Sequence, residues 1–341
     1  MNKKCPNCRD FAAEGNSFCG SCGRPLAGII PKSCGFVRTI IFALCIFVIF
    51  VAALEVLTLT VNSLGVFDFL SDKTAGFILI VPFPQNVFSL SGPMLQIYWI
   101  TIAAVVILCA VYSMYRFIKT AVHPKAASEH DTPENTAFFW ITVSLSAMIF
   151  INFAVVLITS LLGYETSVPS LGDKTEQMFL LADAAVWEEI ITRLLYIGVP
   201  MTLISLAVTR KAKSLKCLFG GFGMSLTAVA LIVISGTVFG LAHYPGWGEQ
   251  TWKVLTAGIM GAFLGYIFVR FGIYATILLH FINNYMSSFD WIGIGGLGIV
   301  VSLCLIAAGL VCLYYIAVKM RESKSSIDSL PIFRNMHTEE I

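Results

Sequence analysis

Four ionisable residues that could carry out acid–base chemistry lie close together in an otherwise apolar helical stretch. The sequence ADAAVWEEIITR contains Asp183, Glu188, Glu189 and Arg193. In lipid, each such side chain costs at least ~2.5 kcal/mol on insertion scales, so intramembrane charges tend to mark pathways or chemical sites. We therefore take this stretch as the candidate active-site helix.

The spacing of these residues predicts a division of roles. On an α-helix, Glu188 and Glu189 point about 100° apart, whereas Arg193 lies one turn beyond Glu189 on the same face. Glu189 can pair with Arg193 as a structural brace, which leaves Glu188 to face a cavity as a candidate general base. An ion network that only packs helices together fits the pattern about equally well. Asp183 has no assigned role, because it can pair locally or face water.

Two other apolar segments contain histidines at helical spacing. Phe239 and His243 lie one turn apart at the end of one segment, and His280 and Asn284 lie one turn apart within another. A lone histidine near a helix end is usually solvated or a cap, so His243 by itself is a weak candidate for chemistry. His280 and Asn284 lie deep in an apolar helix, where an imidazole and an amide require polar partners.

Membrane-spanning helices must position these residues. The chain has 341 residues, of which 57% are hydrophobic and only 12% are charged, whereas soluble domains usually have roughly 25% charged residues. About 20 apolar residues cross a bilayer, and by this measure we expect an all-α polytopic membrane protein with eight transmembrane helices and a small N-terminal zinc ribbon. The run Phe77–Phe83 is too short to cross and is interrupted by prolines, so we expect it to be re-entrant or interfacial. The predicted spans are 37–61, 94–118, 137–162, 178–209, 220–243, 250–269, 273–290 and 292–318.

The distribution of basic residues predicts the orientation of these spans. Eighteen Lys and Arg residues fall on the side that holds both termini, and three, Lys73, Lys174 and Lys253, fall on the other side. By the positive-inside rule, both termini are cytosolic. The formal net charge of +2 is too small to suggest a nucleic-acid partner. The first 35 residues are polar, so we expect no cleavable signal peptide.

The N-terminal 27 residues have the cysteine spacing of a zinc site. Two C-x2-C turns contribute Cys5, Cys8, Cys19 and Cys22, which can present four thiolates to one structural Zn²⁺. Two disulfides are the alternative, but a cytosolic location disfavours them. So short a module cannot build an adequate core, and metal binding would supply its folding free energy. It is similar to the zinc ribbons of many microbial membrane proteins, which implies structure or binding of a cytosolic partner.

The three motifs E-E-x3-R, F-x3-H and H-x3-N occur in this order on three separate apolar helices. In this combination the chain resembles the CPBP intramembrane proteases, which include the type II CAAX prenyl endopeptidases and the Abi bacteriocin-immunity proteins. The resemblance covers roughly residues 137–318. We accordingly divide the chain into a ribbon (1–27), a linker (28–36), N-terminal membrane helices (37–136), a protease core (137–318) and a cytosolic tail (319–341).

The resemblance implies an intramembrane endopeptidase that acts on membrane-embedded or lipid-modified proteins, with prenylated CAAX proteins as the best-known substrates of the family. It implies that Glu188 and His243 activate water, that His280 and Asn284 stabilise the oxyanion, and that Glu189, Arg193 and Phe239 support the site. Glu188, His243 and His280 could alternatively hold a catalytic metal, but Asn284 is a better oxyanion donor than zinc ligand, which favours the metal-free form.

Two other classes of protein remain open at this stage. A non-catalytic scaffold or immunity factor would use the ribbon to recruit a partner and the motif residues only to brace the bundle. A proton-coupled transporter would also contain buried acids and histidines, but no inverted repeat is apparent in the sequence.

Overall fold

The structure, a computed structural model, describes residues 34–80, 84–122, 132–167, 172–210, 212–246, 248 and 250–327. The predicted ribbon and its ligands Cys5, Cys8, Cys19 and Cys22 lie outside the described residues. Within them, seven helical segments are long and apolar enough to cross a membrane, which confirms an integral, multi-pass and mainly helical architecture. The described helices are α1 (Cys34–Phe69), α2 (Gly92–Val122), α3 (Ala137–Leu161), α4 (Lys174–Glu189), α5 (Val199–Thr209), α6 (Leu226–Gly246), α7 (Thr251–Phe271), α8 (Ile273–Tyr285) and α9 (Gly295–Ile327).

The predicted span 273–290 is represented by a shorter helix. α8 has 13 residues and is followed by the 3-10 turn Met286–Ile292. By length it is not among the seven candidate spans, so the eight-span topology stays a prediction. The helix is buried along most of its length, from Ala275 to Ile282, because it lies among other helices rather than against lipid. At the other end of the chain, α9 continues to Ile327, well into the segment predicted to be a polar tail.

The short apolar run between the first two spans forms a β-hairpin, an exception to the predicted all-α fold. Strand β1 (Thr74–Ile80) pairs antiparallel with β2 (Pro84–Ser91), with a register irregularity after Phe77. A two-stranded hairpin is marginally stable alone and needs packing partners. Here Phe77 and Phe88 stack across the strands, and both rings contact Trp187 of α4 edge-on.

A π-helix interrupts the segment predicted to be the fourth span. α4 changes at Ile190 into a nine-residue π-helix that ends at Gly198. Pro200 follows in the first turn of α5, where its missing N–H cannot continue the hydrogen-bond ladder. The change of helix type begins directly after Glu189. π-Helical turns occur frequently at functional sites.

Glycines bring α6 and α7 into close contact. A Cβ added to Gly240 would lie 2.5 Å from the carbonyl oxygen of Val254, and one added to Gly261 would lie 2.9 Å from the Cα of Gly236. The absence of side chains at these glycines lets the two helices approach closely. α6 is continuous from Leu226 to Gly246, without an interruption at Gly236.

Candidate functional site

The two glutamates of the first motif have different surroundings. Glu189 is the last residue of α4, and its side chain is completely buried. The side chain of Glu188 is 34% exposed. This difference follows from their divergent directions on the helix, and it leaves Glu188 as the carboxylate that can be reached from outside the bundle.

Glu189 is held by two cationic or hydrogen-bonding partners. Its Oε2 lies 3.2 Å from Nε of Arg193, and its Oε1 lies 2.9 Å from Nδ1 of His280 on α8. The first contact is the one that the spacing of four residues predicts. The second joins two of the motifs. Because the ion-paired carboxylate can only accept, Nδ1 of His280 is the donor.

The orientation of His280 follows from this contact. With Nδ1 bonded to Glu189, the neutral ring has an unprotonated Nε2, and this atom lies 3.8 Å from Oε2 of Glu188. His280 therefore lies between the buried glutamate and the accessible one. An imidazole that is fixed on one nitrogen by a carboxylate can take up a proton on the other.

Arg193 is enclosed by groups that fix its position. Its side chain is completely buried, and Nη1 donates to Oγ of Ser235 at 2.6 Å. The Ser235 hydroxyl in turn donates to the carbonyl oxygen of Thr192 at 2.5 Å. The guanidinium carbon lies 5.1 Å from the ring centre of Phe239, which is within range for a cation–π contact. These contacts together offset part of the desolvation cost of burying the guanidinium charge.

Phe239 connects the two histidines. Its ring centre lies 4.8 Å from that of His243 and 5.9 Å from that of His280. Nδ1 of His243 lies 2.8 Å from the carbonyl oxygen of Phe239. A carbonyl only accepts, so Nδ1 carries the proton and Nε2 of the neutral ring is the basic atom. His243 is thus attached to the same cluster through Phe239.

Asn284 is less directly attached to the cluster. In the described part of the chain its Nδ2 donates to the carbonyl oxygen of Leu181 at 3.3 Å, and its Oδ1 accepts from Asn283 at 3.3 Å. The structure therefore brings Glu188, Glu189, Arg193, Phe239, His243 and His280 together, whereas the side chain of Asn284 bonds to neighbours of the cluster.

Several residues of the site are not identified by the sequence motifs. Ser235 precedes Phe239 by four residues, as Phe239 precedes His243, and this repeated spacing is the signal that could have found it. Asp183 accepts a hydrogen bond of 2.6 Å from the Tyr98 hydroxyl of α2. Trp187 donates to the carbonyl oxygen of Ile78 in β1 at 3.1 Å. No local pattern indicates these last two contacts, because each joins distant parts of the chain.

A lysine also contributes to the charges around the site. Lys253, in the first turn of α7, interacts electrostatically with both Glu188 and His243. The sequence analysis counts it only as one of three lysines on the less basic side. The structure adds it to the groups that set the charge near Glu188.

The donors do not form an evident metal site. Within the described ranges, no three His, Cys, Asp or Glu side chains are grouped so that they could hold a metal ion. Nδ1 of His280 and Nδ1 of His243 each already bond to an oxygen acceptor. These bonds leave both Nε2 atoms free, as in metal-ligating histidines, but Glu188, His243 and His280 are not among any such group in the described ranges, and we derive no step through a metal.

The arrangement defines a class: a helical membrane protein with a glutamate and histidine cluster in its interior. Residues 177–286 match the family model of type II CAAX prenyl endopeptidase Rce1-like proteins. The matched segment includes all three motifs, from Glu188 to Asn284, and excludes the hairpin and the N-terminal cysteines. This similarity to a family of proteases supports the resemblance seen in the motifs. No curated protein and no solved structure matches the chain.

Proposed function

We propose that the protein is an intramembrane endopeptidase and that Glu188 is its general base. The observation that carries the proposal is the chain of contacts from Glu188 through His280 to Glu189 and Arg193, inside a segment that matches a protease family. A purely structural role for these residues would require only the buried ion pair of Glu189 and Arg193. The partly exposed Glu188, which faces the free nitrogen of His280, is the additional feature that hydrolysis requires.

The geometry supports a metal-free hydrolysis. Glu188 takes one proton of a water molecule, Nε2 of His243 accepts a hydrogen bond from its other O–H, and the water oxygen adds to the peptide carbonyl carbon. Transfer of this proton to Nε2 of His280 forms an imidazolium, and Glu189 stabilises its charge. The imidazolium and the Asn284 amide then donate to the oxyanion, which requires the amide to leave the carbonyl of Leu181. When the C–N bond breaks, the proton passes to the leaving nitrogen, and a carboxylic acid and an amine are released.

The substrate class follows from the location of the site. The catalytic cluster lies within apolar helices, so the substrate is a protein that is embedded in the membrane or attached to it by lipid. Prenylated CAAX-type proteins are the substrates implied by the name of the matching family. Proteins that are membrane-attached in other ways remain within the proposal.

Replacement of Glu188 tests this function. We expect Glu188→Gln to abolish cleavage, because an amide cannot accept the proton of water at this position. The measurement is a comparison of membrane proteomes from cells that carry wild-type or variant protein, in which new peptide termini should depend on Glu188. His243→Ala and His280→Ala should give the same loss.

Glu165→Gln is the matched control, since Glu165 is an exposed acid outside the helices and its change should leave the termini unaltered. Equal cleavage by wild-type protein and Glu188→Gln would show that the protein is not a peptidase of this kind. In that case the motif residues brace a scaffold or immunity factor, and their replacement should lower thermal stability without altering any substrate.

A structural zinc ribbon at the N-terminus is part of the same proposal and would recruit a cytosolic partner. We expect purified protein to contain about one zinc ion per chain, bound by Cys5, Cys8, Cys19 and Cys22. Elemental analysis should find no zinc after Cys5→Ser and Cys8→Ser are combined, while Glu188-dependent cleavage persists. Zinc that remains in this variant would instead place a metal elsewhere in the chain.

A further inference from the structure

A polar cavity lined by none of the candidate active-site residues lies between the ends of several helices. Its volume is about 250 Å³, and its walls come from the ends of α2, α3, α7 and α8. On α7, Arg270 lines this cavity, whereas Lys253 lies near Glu188, and their separation of 17 positions corresponds to about 25 Å along the helix. The cavity is therefore separate from Glu188 along α7, although on α8 His280 follows the lining residue Tyr274 by six positions, or about 9 Å.

Two arginines give the cavity a positive charge. Arg116 of α2 and Arg270 both line it, and no Asp or Glu is among the lining residues. Over the ranges that the structure describes, neither arginine forms an ion pair with a carboxylate. Arg270 donates to the Tyr266 hydroxyl at 2.5 Å and lies 4.4 Å from the ring centre of Trp140, so its position is fixed by neutral groups. The charge of the cavity is not neutralised by these contacts.

A buried hydroxyl without a partner also lines the cavity. Ser113 is only 1% exposed, and its Oγ has no hydrogen-bond partner among the described residues. A buried hydroxyl that lacks a partner is costly, so an occupant that accepts from it would be stabilised. Thr136 and Ala137, the N-cap and first residue of α3, lie in the same wall. The positive end of a 25-residue helix thus adds to the charge of the arginines.

We propose that this cavity binds the phosphate of an anionic phospholipid headgroup. A guanidinium forms paired hydrogen bonds with phosphate oxygens, a serine hydroxyl donates a third, and a helix N-terminus favours an anion. The position agrees with a headgroup site, since Arg116 and Arg270 lie at the helix ends that the positive-inside rule assigns to the cytosolic interface. The exposed Tyr112 contacts Tyr274 beside the cavity and gives the acyl chains an apolar surface next to it.

Thermal unfolding in lipid nanodiscs tests this site. We expect phosphatidylglycerol in a phosphatidylcholine bilayer to raise the Tm of the full-length wild-type protein by about 3 to 5 °C. Arg116→Gln should remove most of this rise, because one of the two phosphate-binding cations is lost. Lys119→Gln is the matched control: it removes a cation from the same end of α2 without altering the cavity lining, and should keep the rise.

The two sources of phosphate give different results. Inorganic phosphate added to protein in pure phosphatidylcholine should leave the Tm unchanged if the occupant is a lipid, and should raise it in an Arg116-dependent way if free phosphate binds. The first result supports the proposal, and the second reassigns the site to a soluble anion.

A count of lipids bound to the intact protein provides an independent readout. Native mass spectrometry should detect at least one more phosphatidylglycerol on wild-type protein than on Arg116→Gln, with phosphatidylcholine equal on both. If wild-type protein and Arg116→Gln respond equally to phosphatidylglycerol in both measurements, an internal group already neutralises the arginines and the lipid site does not exist.

Discussion

At the scale of single residues, Glu189 is the group on which the site depends. It is completely buried, yet it bonds to Arg193 through one oxygen and to His280 through the other. The desolvation of two charges is offset only while both are present and well placed, so removal of one partner leaves an uncompensated charge in an apolar interior.

We expect Glu189→Gln to destabilise the protein by about 3 to 5 kcal/mol, because Arg193 then remains buried without a counter-charge. Glutamine retains an acceptor for His280, so the change acts mainly on the ion pair. Thermal unfolding of the purified protein in detergent measures this effect.

The double variant Glu189→Gln with Arg193→Met is the control, and it should recover much of the lost stability because no buried charge is left. If the single and double variants are equally unstable, the ion pair does not account for the loss. Activity should be low in both, since Glu189 is required to stabilise the charged form of His280.

The sequence predicts part of this residue-scale picture. The pairing of Glu189 with Arg193 follows from a spacing of one helical turn and is therefore local. The bond between Glu189 and His280 joins residues 91 positions apart, and no periodicity encodes it. The hydrogen bond between Arg193 and Ser235 also joins residues that are distant in the sequence. The four-residue spacing of Ser235 and Phe239 indicates only that both lie on one face of the helix.

At the scale of elements, the contact of α6 with α7 determines where Phe239 and His243 lie. The helices approach so closely at Gly240 that a Cβ there would overlap the carbonyl oxygen of Val254. Backbone atoms cannot move aside as a flexible side chain can. A larger residue must therefore push the two helices apart.

We expect Gly240→Ala to lower the free energy of unfolding by about 1 to 3 kcal/mol. We also expect it to reduce cleavage of the substrate, because α6 moves away from α7 and displaces His243. The matched control is Gly296→Ala in α9, where an added Cβ meets nothing within 4 Å. Both variants can be compared by thermal unfolding and by cleavage of the same substrate. Equal stability of the two would contradict the close packing of α6 on α7.

The elements differ in how far the sequence predicts them. Long apolar runs predict the spanning helices well, because burial in lipid requires a continuous stretch of residues. The hairpin is not predicted, since the apolar run is interrupted by Pro82 and Pro84. The π-helix Ile190–Gly198 is also missed, because the same residue types form an ordinary α-helix.

At the scale of the whole molecule, the basic residues predict that both termini face the cytosol. Seven helical segments of the described residues are long and apolar enough to span the membrane. We expect reporter fusions to determine the orientation, with green fluorescent protein after Arg210 or Ile341 fluorescing in the cytosol and alkaline phosphatase after Gly163 or Gly248 active outside it.

An active phosphatase after Arg210 would reverse this orientation and place the candidate lipid cavity in the opposite leaflet. The proposed chemistry does not depend on the orientation, since the contacts of Glu188, His280 and Glu189 are internal to the bundle.

The contact between the hairpin and α4 has a consequence for the ancestry of the chain. The hairpin lies outside the segment that matches the protease family, whereas Trp187, which donates to its Ile78 carbonyl, lies inside that segment and directly precedes Glu188. The indole N–H of Trp187 has this acceptor only where the hairpin is present. Among related chains, we expect the indole at this position and a hairpin between the first two spans to have been gained and lost as a pair.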